Sequence, residues 1–304
     1  MIKPDDCSLT PDQYKKVKDE AIRALTQAEA LGVFPTPIED IMAAANIEEV
    51  KEDVLNESFI TKLRKEAGSA LRRAVKKVIG LFDARSGLVF IDQSLMAVKK
   101  TYVRLHETGH AFMAWQRQMY AVVEDCESTL SPDVAELFDK EANVFASEVL
   151  FQGDAFINES FGDDFGIKVP MRLSKKYGAS VYASIRQYVS KNHRACTVIV
   201  LNPPELIPGD GFRANLRRVI SSASFEEQFG ILNWPEYFTP DDDVGAMVPL
   251  HKRRMSGKKS LSLTDINGTK HEFVGEAFTN TYQVFILIVS SRALTTTNFI
   301  LGTP

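Results

Sequence analysis

From Ala97 to Gln118 no proline interrupts the chain, and Tyr102, Val103, Leu105, Phe112, Met113 and Trp115 recur at helical spacing, so this stretch reads as a helix with an apolar face. Inside it stands Arg104-Leu105-His106-Glu107-Thr108-Gly109-His110-Ala111, an H-E-x-x-H pattern. Residues four apart leave the same helix face one turn apart, so His106 and His110 can close on one zinc ion. Glu107 lies beside them, placed to take a proton from a metal-bound water. Gly109 sits mid-helix, where glycine costs about 1 kcal/mol relative to alanine. That cost points to close approach by a neighbouring strand or helix.

Two histidines do not complete a catalytic zinc site, which takes three protein ligands and leaves a fourth position open. The stretch Ser131 to Gln152 reads as a return helix, with Ser131 as N-cap, Pro132 at the first helical position and Asp133 in the first turn. Along it Glu141, Phe145 and Glu148 share a stripe, while Ala142, Ala146 and Leu150 are small or apolar enough for tight helix packing. Glu141 follows His110 with 30 residues between, room for a loop and a return, and is the expected third ligand. Cys126 lies between the two helices and is a weaker alternative, since a lone cysteine is more often a buried hydrophobe.

The H-E-x-G-H core at His106 to His110, with E-A-N-x-F-A at Glu141 to Ala146, resembles the ImmA/IrrE metallopeptidases, cytoplasmic proteases linked to phage-type repressors and stress responses. The resemblance extends upstream through a helix, a T-P-x-E-D-I segment at Thr36 to Ile41 and a hairpin at Val78 to Asp92, and covers about residues 10 to 195. It implies a zinc-dependent endopeptidase with one Zn2+ per chain, ligands at His106, His110 and Glu141, and Glu107 as general base. It also implies a protein substrate, such as a helix-turn-helix repressor. Thr108 stands where many members carry a bulky aliphatic residue, a departure that leaves the ligand set intact.

A net charge of −4 over 304 residues gives no global attraction to nucleic acid or anionic lipid. No segment approaches 18 uninterrupted apolar residues and the first residues lack an apolar leader, so a cytoplasmic location without a membrane span is expected. Three scattered cysteines make no disulfide framework.

Taken in order, Thr10 caps a helix opened by Pro11 and running toward Gly32, and Thr36 caps a short helix begun by Pro37. Ile60 to Lys77 reads as a helix with seven basic side chains off its apolar stripe, either a solvated face or a docking surface. The runs Val78 to Asp83 and Gly87 to Asp92 form a hairpin whose edge could receive an extended peptide. Asp154 to Ile167 reads as loop. Pro170 to Gly178 and Ser180 to Val189 read as two helices, superficially a helix-turn-helix, but the second offers only Arg186 and Lys191 as positive groups, so direct nucleic-acid binding is not expected.

After Asn192 the pattern turns to strands, expected at Cys196 to Leu201, Leu216 to Ile220, Ala246 to Leu250, Ser260 to Leu263, Lys270 to Val274 and Tyr282 to Ser290. The fold class expected is α+β: a mainly helical, zincin-like peptidase domain over residues 1–194 with a short hairpin or sheet, then a smaller, mostly antiparallel α+β domain over residues 195–304 serving as sensor or in substrate recognition. An oxyanion stabiliser could come from His193, Arg194, Tyr102, Tyr120, Tyr177 or Tyr182, with His193 and Tyr102 put forward. The function expected is site-specific cleavage of a regulatory protein. The alternatives are a non-catalytic, metal-dependent interaction module and a DNA-binding regulator.

Overall fold

A computed structural model describes residues 7–50, 80–125, 130–161, 164–209, 211–250 and 254–291. The basic helix expected at Ile60 to Lys77, the start of the hairpin at Val78 and Cys126 lie outside the described residues. The chain divides into two compact units, one of Asp6–Glu159 with Arg172–Ala183, the other of Ser160–Met171 with Ser184–Pro304. The architecture is α+β, mixed helices and sheet. Among the described residues no helix is long and apolar enough to cross a membrane.

The first unit is built around two helices. Helix α1 (Pro11–Gln27) opens with a full capping box: Thr10 Oγ1 accepts from Gln13 N and Gln13 Oε1 accepts from Thr10 N. It ends at Gln27, short of Gly32, because the chain turns through Glu29 at positive φ. Helix α2 (Ile38–Ala44) starts one residue later than Thr36 capping would place it. The Thr36 hydroxyl is spent elsewhere, donating to the carbonyl of Val149 at 3.2 Å.

Strands β1 (Glu48–Val50), β2 (Gly80–Asp83) and β3 (Leu88–Ile91) form a small sheet in the order β1-β3-β2. The β2–β3 hairpin turns where expected. Asp83 Oδ1 accepts from the backbone of Arg85 and Ser86, and Gly87 takes a φ of +71°. Strand β1 pairs parallel to β3 and was not legible in the sequence.

The motif helix α3 (Ala97–Phe112) stops at Met113, whose backbone is extended, and a new helix α4 (Ala114–Asp125) sets off from there. The expected single helix to Gln118 is thus two. Helix α5 (Pro132–Phe151) returns against both α1 and α3. A Cβ on Gly109 would meet Phe145 Cδ1 at 3.1 Å and Ala142 Cα at 3.3 Å, so glycine is what lets α3 and α5 approach. Asp154–Ser160, read from sequence as loop, is helix α6, with Phe156 buried against Phe151 and Tyr177. Helices α7 (Lys168–Lys176) and α8 (Val181–Ser190) flank Gly178 at φ +62°, as the sequence suggests.

The second unit is an antiparallel sheet in the order β5-β6-β4-β10-β9-β8, made of β4 (Cys196–Leu201), β5 (Glu205–Ile207), β6 (Gly211–Ser221), β8 (Lys259–Thr264), β9 (Lys270–Thr279) and β10 (Val284–Ser290), with β7 (Tyr237–Phe238) pairing β6. Strand β4 is buried at every position and β10 at five of seven, as central strands covered on both faces must be. Helix α9 (Ala223–Phe229) packs Phe225 and Phe229 on Phe273. Gly245–Met247 is a 3-10 turn, in place of the strand expected from Ala246.

The α3–α5 contact makes one stability prediction. Gly109→Val inserts a branched side chain where even one carbon is tight, and overpacking should cost about 1–3 kcal/mol beyond any gain in helix propensity. Urea unfolding measures it, and a variant as stable as wild type would refute the close-packing argument.

Candidate metal centre

The first unit brings His106 and His110 together on α3, their Nε2 atoms 3.1 Å apart and their rings edge to face. His110 is buried and His106 is partly exposed, with 19% of its side chain accessible. Each Nδ1 faces an amide oxygen: His106 Nδ1 lies 3.1 Å from Asn143 Oδ1, and His110 Nδ1 lies 2.6 Å from Gln116 Oε1. An oxygen can only accept, so each Nδ1 carries the proton and each Nε2 is left with a bare lone pair. Two lone pairs aimed at one point are stable only with a proton or a cation between them.

Burial holds the His106 imidazole down to about 4, against the Asn143 bond. Burial, then the neighbouring His106, holds His110 down to about 3. At neutral pH a shared proton is therefore disfavoured, and the pair could hold a metal cation instead. Two nitrogens at about 2.0–2.1 Å from a tetrahedral zinc lie about 3.3 Å apart, close to the separation found here.

The third group is Asp139 on α5. Its Oδ1 lies 3.9 Å from both Nε2 atoms, and among the described residues His106, His110 and Asp139 are a group that could hold a metal ion. Glu141, expected as third ligand, points elsewhere: it is 4 % exposed, and its Oε2 accepts from Trp115 Nε1 at 2.8 Å and Gln116 Nε2 at 2.6 Å. The reason is helical phase. Asp139 and Asn143, four apart, share the face toward the histidines, whereas Glu141, two residues on from Asp139, lies about 200° round from it.

Glu107 is buried beside the pair, and burial, then the charge of Asp139, pushes its carboxyl up to about 8. Strand β2 abuts it: a Cβ on Gly80 would come within 2.5 Å of Glu107 Oε1. The break at Met113 places the rest. It turns α4 so that Gln116 reaches His110 and the Tyr120 ring stands edge-on to it at 5.3 Å. An unbroken helix would have put Gln116, six residues on, about 240° round the axis from His110.

Of the oxyanion candidates, Tyr102 donates its hydroxyl to Asn143, to the carbonyl and Oδ1 at 3.2 Å each, and so serves the orientation of that amide. His193 belongs to the sheet unit, where its ring packs against Phe161 at 5.0 Å. Sequence reasoning missed Asp139, Gln116 and Asn143. Asp139 and Asn143 could have been found by asking which polar pair on α5 repeats at four residues, as the histidines do.

Residues 60–185 match the family model of the IrrE N-terminal-like domain, Peptidase_M78, a match that suggests a metallopeptidase-type family. No curated protein matches the sequence. Among solved structures, a Mycobacterium tuberculosis transcriptional regulator is similar in fold at 10% identity and a TM-score of 0.51, over 92% of this chain and 78% of that one.

The protonation of Glu107 predicts a pH dependence in metal-stripped protein. Folded Glu107 holds its proton to about pH 8 and the unfolded residue releases it near 4.5, so this group's contribution to stability falls as pH rises through that window. Glu107→Gln removes the effect. In urea unfolding the variant should gain on wild type from pH 5 to pH 8; the histidines, which cost stability as pH falls below 6.5, act equally in both proteins. A difference independent of pH would contradict the buried, proton-holding carboxyl.

Proposed function

We propose that the chain is a zinc-dependent endopeptidase that cuts a regulatory protein, such as a helix-turn-helix repressor, at a defined site. The observation that carries the reading is the pair of bare Nε2 atoms 3.1 Å apart, with Glu107 next in sequence to one of them. His106, His110 and Asp139 would hold the ion. Zinc, when bound, is a Lewis acid that brings the pKa of water down from about 15.7 toward about 7.

The protein's own part is positional. Asn143 and Gln116 keep both imidazoles in the ligating tautomer. Glu107 takes the proton of the attacking water at its carboxylate and hands it to the leaving amine nitrogen. Its high pKa without metal suits the second half of that task. An approaching cation favours the ionised form needed for the first.

Among the described residues β2 pairs only with β3, and Gly80 at its start touches the Glu107 carboxylate. A substrate strand added to β2 would therefore run past the base. The transcriptional regulator with a similar fold is in keeping with a place in gene control. The sheet domain, residues 195–304, is taken as the part that senses a signal or holds the substrate.

Elemental analysis and peptide-library cleavage test this together. Wild type should carry one zinc and cut at a preferred sequence; His110→Ala and Asp139→Ala should lose the metal. Glu107→Gln should keep zinc while cleavage drops by at least about 100-fold, the scale of a positioned general base. Zinc with no turnover on any peptide or repressor would favour the non-catalytic interaction module instead.

A further inference from the structure

Gln116 is fully buried, and its amide is held in one orientation by what surrounds it. Its nitrogen lies 2.6 Å from Glu141 Oε2 and 3.3 Å from the Phe138 carbonyl, two groups that only accept. The amide oxygen must then face His110 Nδ1, and it does so at 2.6 Å. Glu141 is itself fixed, since Trp115 Nε1 donates to the same Oε2 at 2.8 Å, and the Lys16 ammonium sits 3.5 Å over the Trp115 ring.

We infer that Glu141 is a positioning residue for the metal centre: acting through Gln116, it locks His110 in the tautomer with the proton on Nδ1 and presents a bare Nε2. The inference rests on the reading of His110 as a metal ligand. Without the Glu141 carboxylate, the Gln116 nitrogen keeps only the longer bond to Phe138, and the amide is free to turn over. Its NH2 would then meet Nδ1, moving the ring proton to Nε2, where it blocks ligation. The carboxylate also polarises the amide, making its oxygen a stronger acceptor and His110 a more basic ligand.

The test uses the full chain, stripped of metal, as wild type, Glu141→Ala, Glu141→Gln, Gln116→Leu and the double variant Gln116→Leu/Glu141→Ala. Nitrogen-15 NMR of the histidines reads the tautomer, and zinc titration against a chromophoric chelator reads affinity. Glu141→Ala should show His110 partly protonated on Nε2 and a zinc affinity weakened roughly 10- to 100-fold. Glu141→Gln keeps an oxygen for Trp115 and Gln116 and should hold the tautomer with most of the affinity. Gln116→Leu removes the amide and should release the His110 tautomer and weaken zinc binding at least as far as Glu141→Ala does. The double variant Gln116→Leu/Glu141→Ala should be no worse than Gln116→Leu, because Glu141 acts through Gln116.

A wild-type tautomer and affinity in Glu141→Ala would overturn the inference. So would a Glu141→Gln variant as damaged as the alanine variant, which would put Glu141 in the coordination sphere. If Glu141→Ala fails to fold, Gln116→Leu and Glu141→Gln still decide the matter: a wild-type His110 tautomer in Gln116→Leu would overturn the inference. If wild type binds no zinc, the functional reading fails, yet the tautomers of the metal-free proteins still test the relay.

Discussion

Everything at the metal centre hangs on the contact between α3 and α5 at Gly109. Ala142 and Phe145 come within a methyl's distance of that glycine. The approach sets which α5 residues face the histidines, and the helical repeat then makes them Asp139 and Asn143. It also carries α5 close enough for Glu141 to meet Trp115 and Gln116 from α4. A bulkier residue at 109 would separate Asp139 from the histidines as well as helix from helix.

Around that contact the charges are managed by burial and by amides. Both imidazoles are kept neutral without any carboxylate touching their Nδ1 atoms, because Asn143 and Gln116 supply oxygen without formal charge. Negative charge is placed further out, on Glu141, and on the solvent side, at Asp139 with 67% of its side chain exposed. The arrangement spares the core an unpaired buried ion next to the histidines.

Much of this was legible in the sequence. The H-E-x-x-H helix, the return helix with its Ser131-Pro132 start, the hairpin with Gly87 at positive φ, and most strands after Cys196 follow from local periodicity and turn chemistry. The rest was decided by packing. Met113 breaks the helix with no glycine or proline to announce it, its side chain wholly buried. Glu141 reads as a ligand because its acidic side chain lies in the E-A-N-x-F-A segment, but one residue type does not fix which way a helix is turned. Strand β1, three residues long, owes its form to pairing with β3. Helix α6 was hidden by its glycine-, aspartate- and phenylalanine-rich surroundings, yet Phe156 has a buried slot to fill.

The neutrality of the two histidines has a thermodynamic side. Ligands ordinarily surrender protons when a metal arrives, which makes uptake steeply dependent on acidity. Here His106 and His110 have no proton on Nε2 to surrender at pH 7, and acid must reach the region of pH 4 before it competes for them. On the proposed reading, the proton that leaves on loading would come from Glu107. Metal and proton would then exchange at the base and not at the histidines, so that filling the site and arming the base would be one ionic event.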